Sequence, residues 1–285
     1  MNLESLSDEE VEAQLNPRVA VRDAEQHLAE FAARSRAARQ RLDGRLDIAY
    51  GDSRLQTLDA FPARAGKPPL HVFIHGGYWR ALDKSDHSFV AEPLVAGGAS
   101  TVILNYDLCP SVTVDHVVRQ VRRGLAWIYH NAAEVGGDRD RLFVSGHSAG
   151  AQLAVMALNR DWLDSEGLPA DTIKGVVAIS GVYELAPVMR VSVNEEIRLT
   201  EEMAERNSPT LHPPDPLAPI LVAVGGDEPP GWIRQSVDFF AVCRKHGVVC
   251  DYMQVPGAHH FSILYALADP ASSLCRAVLR QMSLA

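Results

Sequence analysis

From Leu46 onward, short apolar runs alternate with stretches in which apolar side chains recur every three or four positions. The runs Leu46–Tyr50, Leu55–Phe61, Leu70–Ile74, Ser100–Asn105, Leu142–Ser145, Gly175–Ile179, Ile220–Val224 and Val249–Gln254 read as strands, bounded by Gly, Pro, Asn or Asp. Helical periodicity falls at about 114–135, 149–160, 231–246 and 263–282. Near-continuous Val, Ile and Leu runs separated by helices predict an α/β fold. Its mostly parallel central sheet has about eight strands and is flanked by helices on both faces. The turn Gly51–Asp52–Ser53 is short enough to join the first two strands as an antiparallel start.

Residues 1–45 differ: polar, rich in Ala and Arg, without a β-branched run. Asn16 before Pro17 is a helix start, an N-cap with proline at the first helical position. Val21, Ala24, Leu28, Phe31 and Leu42 then share a face, predicting one amphipathic helix that ends before Gly44. This N-terminal helical extension could pack on the main domain, cover a pocket or meet a second subunit in a homodimer; packing is the simplest reading. The main domain spans 46–285. Within it, about 184–218 carries several charges and no strand, ends in the Pro-rich stretch Pro209–Pro219, and reads as a cap-like insertion.

Composition narrows the function classes. The 285 residues are 47% apolar and 22% charged, with a net charge of −9. That supports a sizeable buried core. Without a basic run, neither nucleic acid nor an anionic membrane is an expected partner. No apolar run reaches the roughly 18 residues of a membrane span. Met1–Glu12 carries Glu4, Asp8, Glu9, Glu10 and Glu12 where a leader needs basic and then apolar residues. A cytoplasmic location is the expectation, with Cys109, Cys243, Cys250 and Cys275 as reduced thiols packed as small hydrophobes. No CxxC or HExxH pattern and no phosphate loop is present, so neither metal nor cofactor is expected.

Two motifs carry chemistry. Gly146–His147–Ser148–Ala149–Gly150 follows a strand and opens an Ala-rich helix, the setting of a GxSxG nucleophile elbow. Ser148 is the expected nucleophile, and the new helix turns its amides toward the site. His147 lines that turn and is an expected substrate contact. His75–Gly76–Gly77–Tyr78–Trp79 follows the strand ending at Ile74, and such a loop donates backbone amides to an oxyanion. The expected oxyanion hole is Gly76, Gly77 and the Ala149 amide; a tight turn around a buried His75 is the alternative. Tyr78 and Trp79 either stack on an aromatic substrate or pack under the loop.

A serine nucleophile needs a base, and the base an orienting carboxylate. Gly225–Gly226–Asp227–Glu228 follows a strand, and only one of its two acids can face inward; Asp227 is the choice and Glu228 the reserve. After the last strand come His259 and His260, of which His260 is taken as the base. His27, His87, His116, His130, His212 and His246 read as surface or capping residues.

With these residues in place, the chain resembles the α/β-hydrolase fold over roughly residues 16–282. Within that fold it is similar to the kynurenine formamidase (arylformamidase) branch near the hormone-sensitive-lipase-like esterases. The resemblance rests on Tyr50–Gly51, Leu58–Pro62, His75–Trp79, Asn105–Pro110, Gly146–Gly150, Ser180–Leu185, Gly226–Glu228 and His260–Phe261. It implies Ser148, Asp227 and His260 as the catalytic triad, the His–Phe pair favouring His260 over His259. It also implies a small amide substrate, N-formylkynurenine cleaved to kynurenine and formate in tryptophan catabolism. A carboxylesterase for small acyl or aryl esters fits the same motifs, and a non-catalytic ligand-binding protein on this fold is the third reading.

Overall fold

Eight strands form one sheet: β1 (Arg45–Ala49), β2 (Thr57–Phe61), β3 (Pro69–Ile74), β4 (Ser100–Leu104), β5 (Asp138–His147), β6 (Ile173–Ile179), β7 (Ile220–Gly225) and β8 (Cys250–Val255). Their order is β1-β2-β4-β3-β5-β6-β7-β8. In this computed structural model, which describes residues 3–64 and 66–285, β1 pairs antiparallel with β2 and β2 with β4, and every later pairing is parallel. Met1 and Asn2, the start of the acidic stretch read against a leader, lie outside the described residues.

The helices are α1 (Asp8–Leu15), α2 (Pro17–Ala20), α3 (Ala24–Arg41), α4 (Ala91–Ala96), α5 (Val114–His130), α6 (Ala149–Met156), α7 (Arg160–Ser165), α8 (Asn194–Ile197), α9 (Glu201–Arg206), α10 (Pro230–Lys245), α11 (Ile263–Ala268) and α12 (Ser273–Gln281). None of the described helices is long and apolar enough to cross a membrane. All four cysteines are buried and free.

Alternation along each strand sends successive side chains to opposite faces. Val102, Val72, Val144 and Val176 stand in register across four strands and feed one core. Their neighbours Ile103, Phe73, Phe143 and Val177 feed the other. The sheet is thus covered on both sides, which is why its central strands read as unbroken apolar runs.

The N-terminal region departs from the single helix expected. Asn16 does cap a helix, its side chain accepting from the Arg18 amide with Pro17 at the first position, but α2 stops after four residues with Val21 extended. A further helix, α1, precedes it, closed by a Ser7–Glu10 capping box. Val11 and Leu15 of α1 enter the first core, whereas Ala24, Phe31 and Ala38 of α3 enter the second. The chain between them therefore crosses the edge of the sheet where strands 3, 5, 7 and 8 end.

The helix expected over 263–282 is also two. Asp269–Ser272, which contains Pro270, interrupts it, and Ser272 caps α12 by accepting the Cys275 amide. Residues 184–218 hold a short 3₁₀ turn (Ala186–Arg190), α8 and α9, all between β6 and β7.

Candidate active site

The end of β5 and the start of α6 are forced together by glycine. A β-carbon on Gly146 would lie 2.0 Å from the Gly150 carbonyl oxygen, and one on Gly150 would lie 2.1 Å from that of Ile74. Only hydrogen at both positions lets strand and helix close this tightly. Between them Ser148 adopts φ 57° and ψ −124°, a conformation costly to a side chain. Its amide donates to the Ile179 carbonyl at 2.9 Å, fixing the turn against β6.

The loop after β3 lies against this turn. A β-carbon on Gly76 would come within 2.9 Å of the Ser148 β-carbon, and Gly77 takes φ 99°. The amides of Gly76, Gly77 and Ala149 have no protein acceptor among the described residues. His75 is buried behind them. Its Nε2–H donates to Asn105 Oδ1 at 2.8 Å, and Asn105 donates in turn to Asp83. The Tyr106 ring stacks on His75 at 4.3 Å, and its hydroxyl donates to the His75 carbonyl. The two readings of this motif are thus compatible: a buried histidine shapes the loop, and the loop leaves its amides free.

Beyond β7, the four residues Gly225–Glu228 turn into α10, which Pro230 starts at its first position. The Gly226 and Asp227 amides donate to the carbonyls of Val255 and Ala258, tying this turn to the loop after β8. Asp227 is exposed on that turn and Glu228 is buried. Glu228 Oε2 accepts from His260 Nδ1 at 2.8 Å. Its Oε1 accepts from the Gly225 amide at 2.7 Å and the Ser180 hydroxyl at 2.5 Å. The carboxylate that meets His260 is therefore Glu228, and the expectation of Asp227 is corrected. Backbone pairing with the 255–258 loop commits residue 227 to the outside, and the next side chain turns in.

Trp232 on α10 braces the pair: its indole donates to the Ser180 carbonyl at 2.8 Å, and its ring meets His260 edge-on at 4.4 Å. His147 acts from the other side. Its Nε2–H donates to the His260 carbonyl at 2.7 Å, while burial and the neighbouring His260 hold its pKa well below the usual imidazole range. A neutral His147 thus fixes the backbone of His260.

Ser148, His147, His260, Gly77 and Tyr78 line one cavity of about 50 Å³. Of the two aromatic residues of the loop, Trp79 is fully buried outside this cavity, its indole donating to Gln152 at 3.2 Å. It packs under the loop, and the substrate-stacking alternative for Trp79 is discarded. Tyr78 lines the cavity and donates its hydroxyl to the Leu15 carbonyl of α1.

The rest of the wall includes Arg80, Ala81, Leu82, Phe261 and Val193, together with Asn16, Pro17, Arg18, Leu28 and Phe31 of the N-terminal segment, for which covering a pocket was one of the expected roles. The extension does more than pack; it roofs the site. His87, taken as a surface residue, is buried in the same wall, its pKa pushed down to about 3 by burial. The Asn–Pro start of α2 was the available signal, but the crossing over the sheet edge was not readable from periodicity. Outside the cavity, Asp23, His27 and His259 bring three donor atoms within 4.8 Å of one another. His259 Nδ1 accepts the amides of Phe261 and Ser262, which leaves hydrogen on the nitrogen a cation would need.

The chain is similar to known proteins over most of its length. A family model described as alpha/beta hydrolase fold matches residues 71–264. The kynurenine formamidase of Danio rerio is 32% identical, with 98% of this chain and 97% of that protein aligned. That of Salmo salar is 36% identical over 90% of this chain and 86% of its own. Among solved structures, a candidate thioesterase from Silicibacter sp. superposes with a TM-score of 0.82 at 28% identity, covering 94% of this chain and 98% of that one.

Proposed function

The chain belongs to the alpha/beta hydrolase family, and from that premise we propose that it is a serine hydrolase of the arylformamidase type, cleaving N-formylkynurenine to kynurenine and formate. The observation that carries this reading is the buried Glu228–His260 pair opening onto the cavity that Ser148 lines. His260 takes the Ser148 proton as the hydroxyl attacks the formyl carbon. The amides of Gly76, Gly77 and Ala149 receive the oxyanion, each worth about 3 kcal/mol in the transition state. His260 then protonates the departing arylamine, and water repeats the cycle on the formyl-enzyme. Glu228 holds the imidazole in the tautomer this needs and offsets the charge it gains.

A cavity of about 50 Å³ supports a formyl-sized acyl group, and the two formamidase relatives support the aryl leaving group. The test is kcat/KM for N-formyl-L-kynurenine beside a short-chain p-nitrophenyl ester and an acyl thioester, with Ser148→Ala as control. A formamide value above about 10⁴ M⁻¹s⁻¹, the lower edge of ordinary enzyme efficiency, is expected. Fast ester or thioester turnover with negligible formamide cleavage would keep the mechanism and replace the substrate, and full activity in Ser148→Ala would remove the nucleophile.

A further inference from the structure

The cavity wall has a one-sided charge. It contains two arginines, Arg18 and Arg80, and not a single carboxylate, in a chain whose net charge is −9. Both cations come from elements already tied to the chemistry. Arg80 closes the oxyanion loop, its amide donating back to the Gly77 carbonyl at 3.1 Å. Arg18 lies on α2, the segment that crosses over the site.

Neither guanidinium is saturated. Arg80 gives Nη1 to Glu196 at 2.6 Å, yet its Nε is buried with no hydrogen-bond partner among the described residues. Arg18 approaches Glu25 only at 3.6 Å. Both acids are largely exposed, 54% for Glu196 and 75% for Glu25, so these pairs are weak and easily exchanged for another anion. A buried, unpaired N–H is costly to leave that way, and a planar guanidinium fork matches a carboxylate.

We propose that Arg18 and Arg80 form a carboxylate-binding subsite at the mouth of the cavity, so that preferred substrates carry an anionic group beyond the scissile bond. For a formamide this means an aryl formamide bearing a free carboxylate, as an amino-acid side chain would present it. In that form the inference rests on the hydrolase reading above and extends it to the charge of the substrate. Binding the remote anion orients the acyl group toward Ser148, which belongs to kcat/KM rather than to the chemical step alone.

The experiment uses pairs that differ at one carboxylate: 4-acetoxybenzoate against the near-isosteric 4-acetoxybenzamide, and N-formylkynurenine against its α-carboxamide. The intact enzyme is expected to favour the anionic member by about tenfold or more, the worth of one charge-assisted hydrogen bond. That ratio should fall toward one in Arg18→Gln and Arg80→Gln, remain partly in Arg80→Lys, and shrink with added salt. Because it is taken within one preparation, a poorly folded fraction cancels. A ratio near one in the intact enzyme, or a ratio untouched by either glutamine, overturns the subsite. If neither formamide is cleaved but the ester pair keeps its ratio, the formamidase reading falls and the subsite stands. If both formamides are cleaved equally well, the reverse holds.

Discussion

Glu228 presents one carboxylate oxygen to His260 Nδ1 at 2.8 Å and fixes the other with the Ser180 hydroxyl and the Gly225 amide. The carboxylate is thereby held with one oxygen aimed at the imidazole and the other fixed by two donors. Replacing it with an isosteric amide keeps the shape and upsets the tautomer. Glu228→Gln should lower kcat by about 10⁴, whereas Asp227→Asn, on the exposed side of the same turn, should stay within about twofold of the parent. Steady-state kinetics on any turned-over ester decides it, and a reversed order would return the role to Asp227.

The backbone of Ser148 is held at φ 57° and ψ −124°. Glycine reaches that region freely, and a β-carbon does not. Ser148→Gly should therefore be more stable than Ser148→Ala by about 1 kcal/mol, although both lose turnover. Urea unfolding of the two variants is the measurement. Equal midpoints would mean that the elbow stores no strain.

Tyr78 ties the oxyanion loop to the N-terminal segment through the Leu15 carbonyl. Tyr78→Phe leaves that buried carbonyl without a partner, at a cost of about 1–3 kcal/mol. Hydrogen exchange should then quicken in 8–28 before it does in the central strands. Uniform protection in both proteins would show that α1 and α2 are held by packing alone.

Two of the buried histidines, His71 and His87, give the response to acid a measurable part. Burial holds His71 and His87 down at about 3, so the native protein keeps both neutral. Unfolded histidine titrates near 6.5, and below that pH unfolding takes up a proton at each site. The stability they allow is complete above pH 6.5 and is lost as pH falls toward 3, at up to about 1.4 kcal/mol per pH unit for each. The urea midpoint should drop between pH 7 and pH 5. His71→Leu, which also removes a ring with both nitrogens unpartnered among the described residues, should drop less. Parallel behaviour of the two proteins would count against the assignment.

The sheet was legible because its strands are apolar runs with clear stops, and all eight appear within a few residues of their expected bounds. Ser148 and His260 were legible because each sits in a motif whose geometry is local. The acid was not. Asp227 and Glu228 are adjacent, and which one turns inward depends on hydrogen bonds from the 226–227 amides to residues 255 and 258, some thirty positions away. The roof over the site was legible only as one of three roles for the N-terminal extension. Leu28 and Phe31 announce a buried face, but the pattern does not say that α1 and α3 lie on opposite sides of the sheet with the site between them.

That roof lies wholly before residue 71, where the family match begins. The nucleophile, base and acid thus lie within the family match, while much of their cover, Arg80 and Val193 excepted, lies before it. Residues on the inner face of the roof, Arg18, Leu28 and Phe31, reach the cavity from a segment separate from Ser148, Glu228 and His260. Grafting residues 1–45 from a relative with another preference redirects this enzyme only if the graft also refills both cores, where Val11, Leu15, Phe31 and Ala38 are buried.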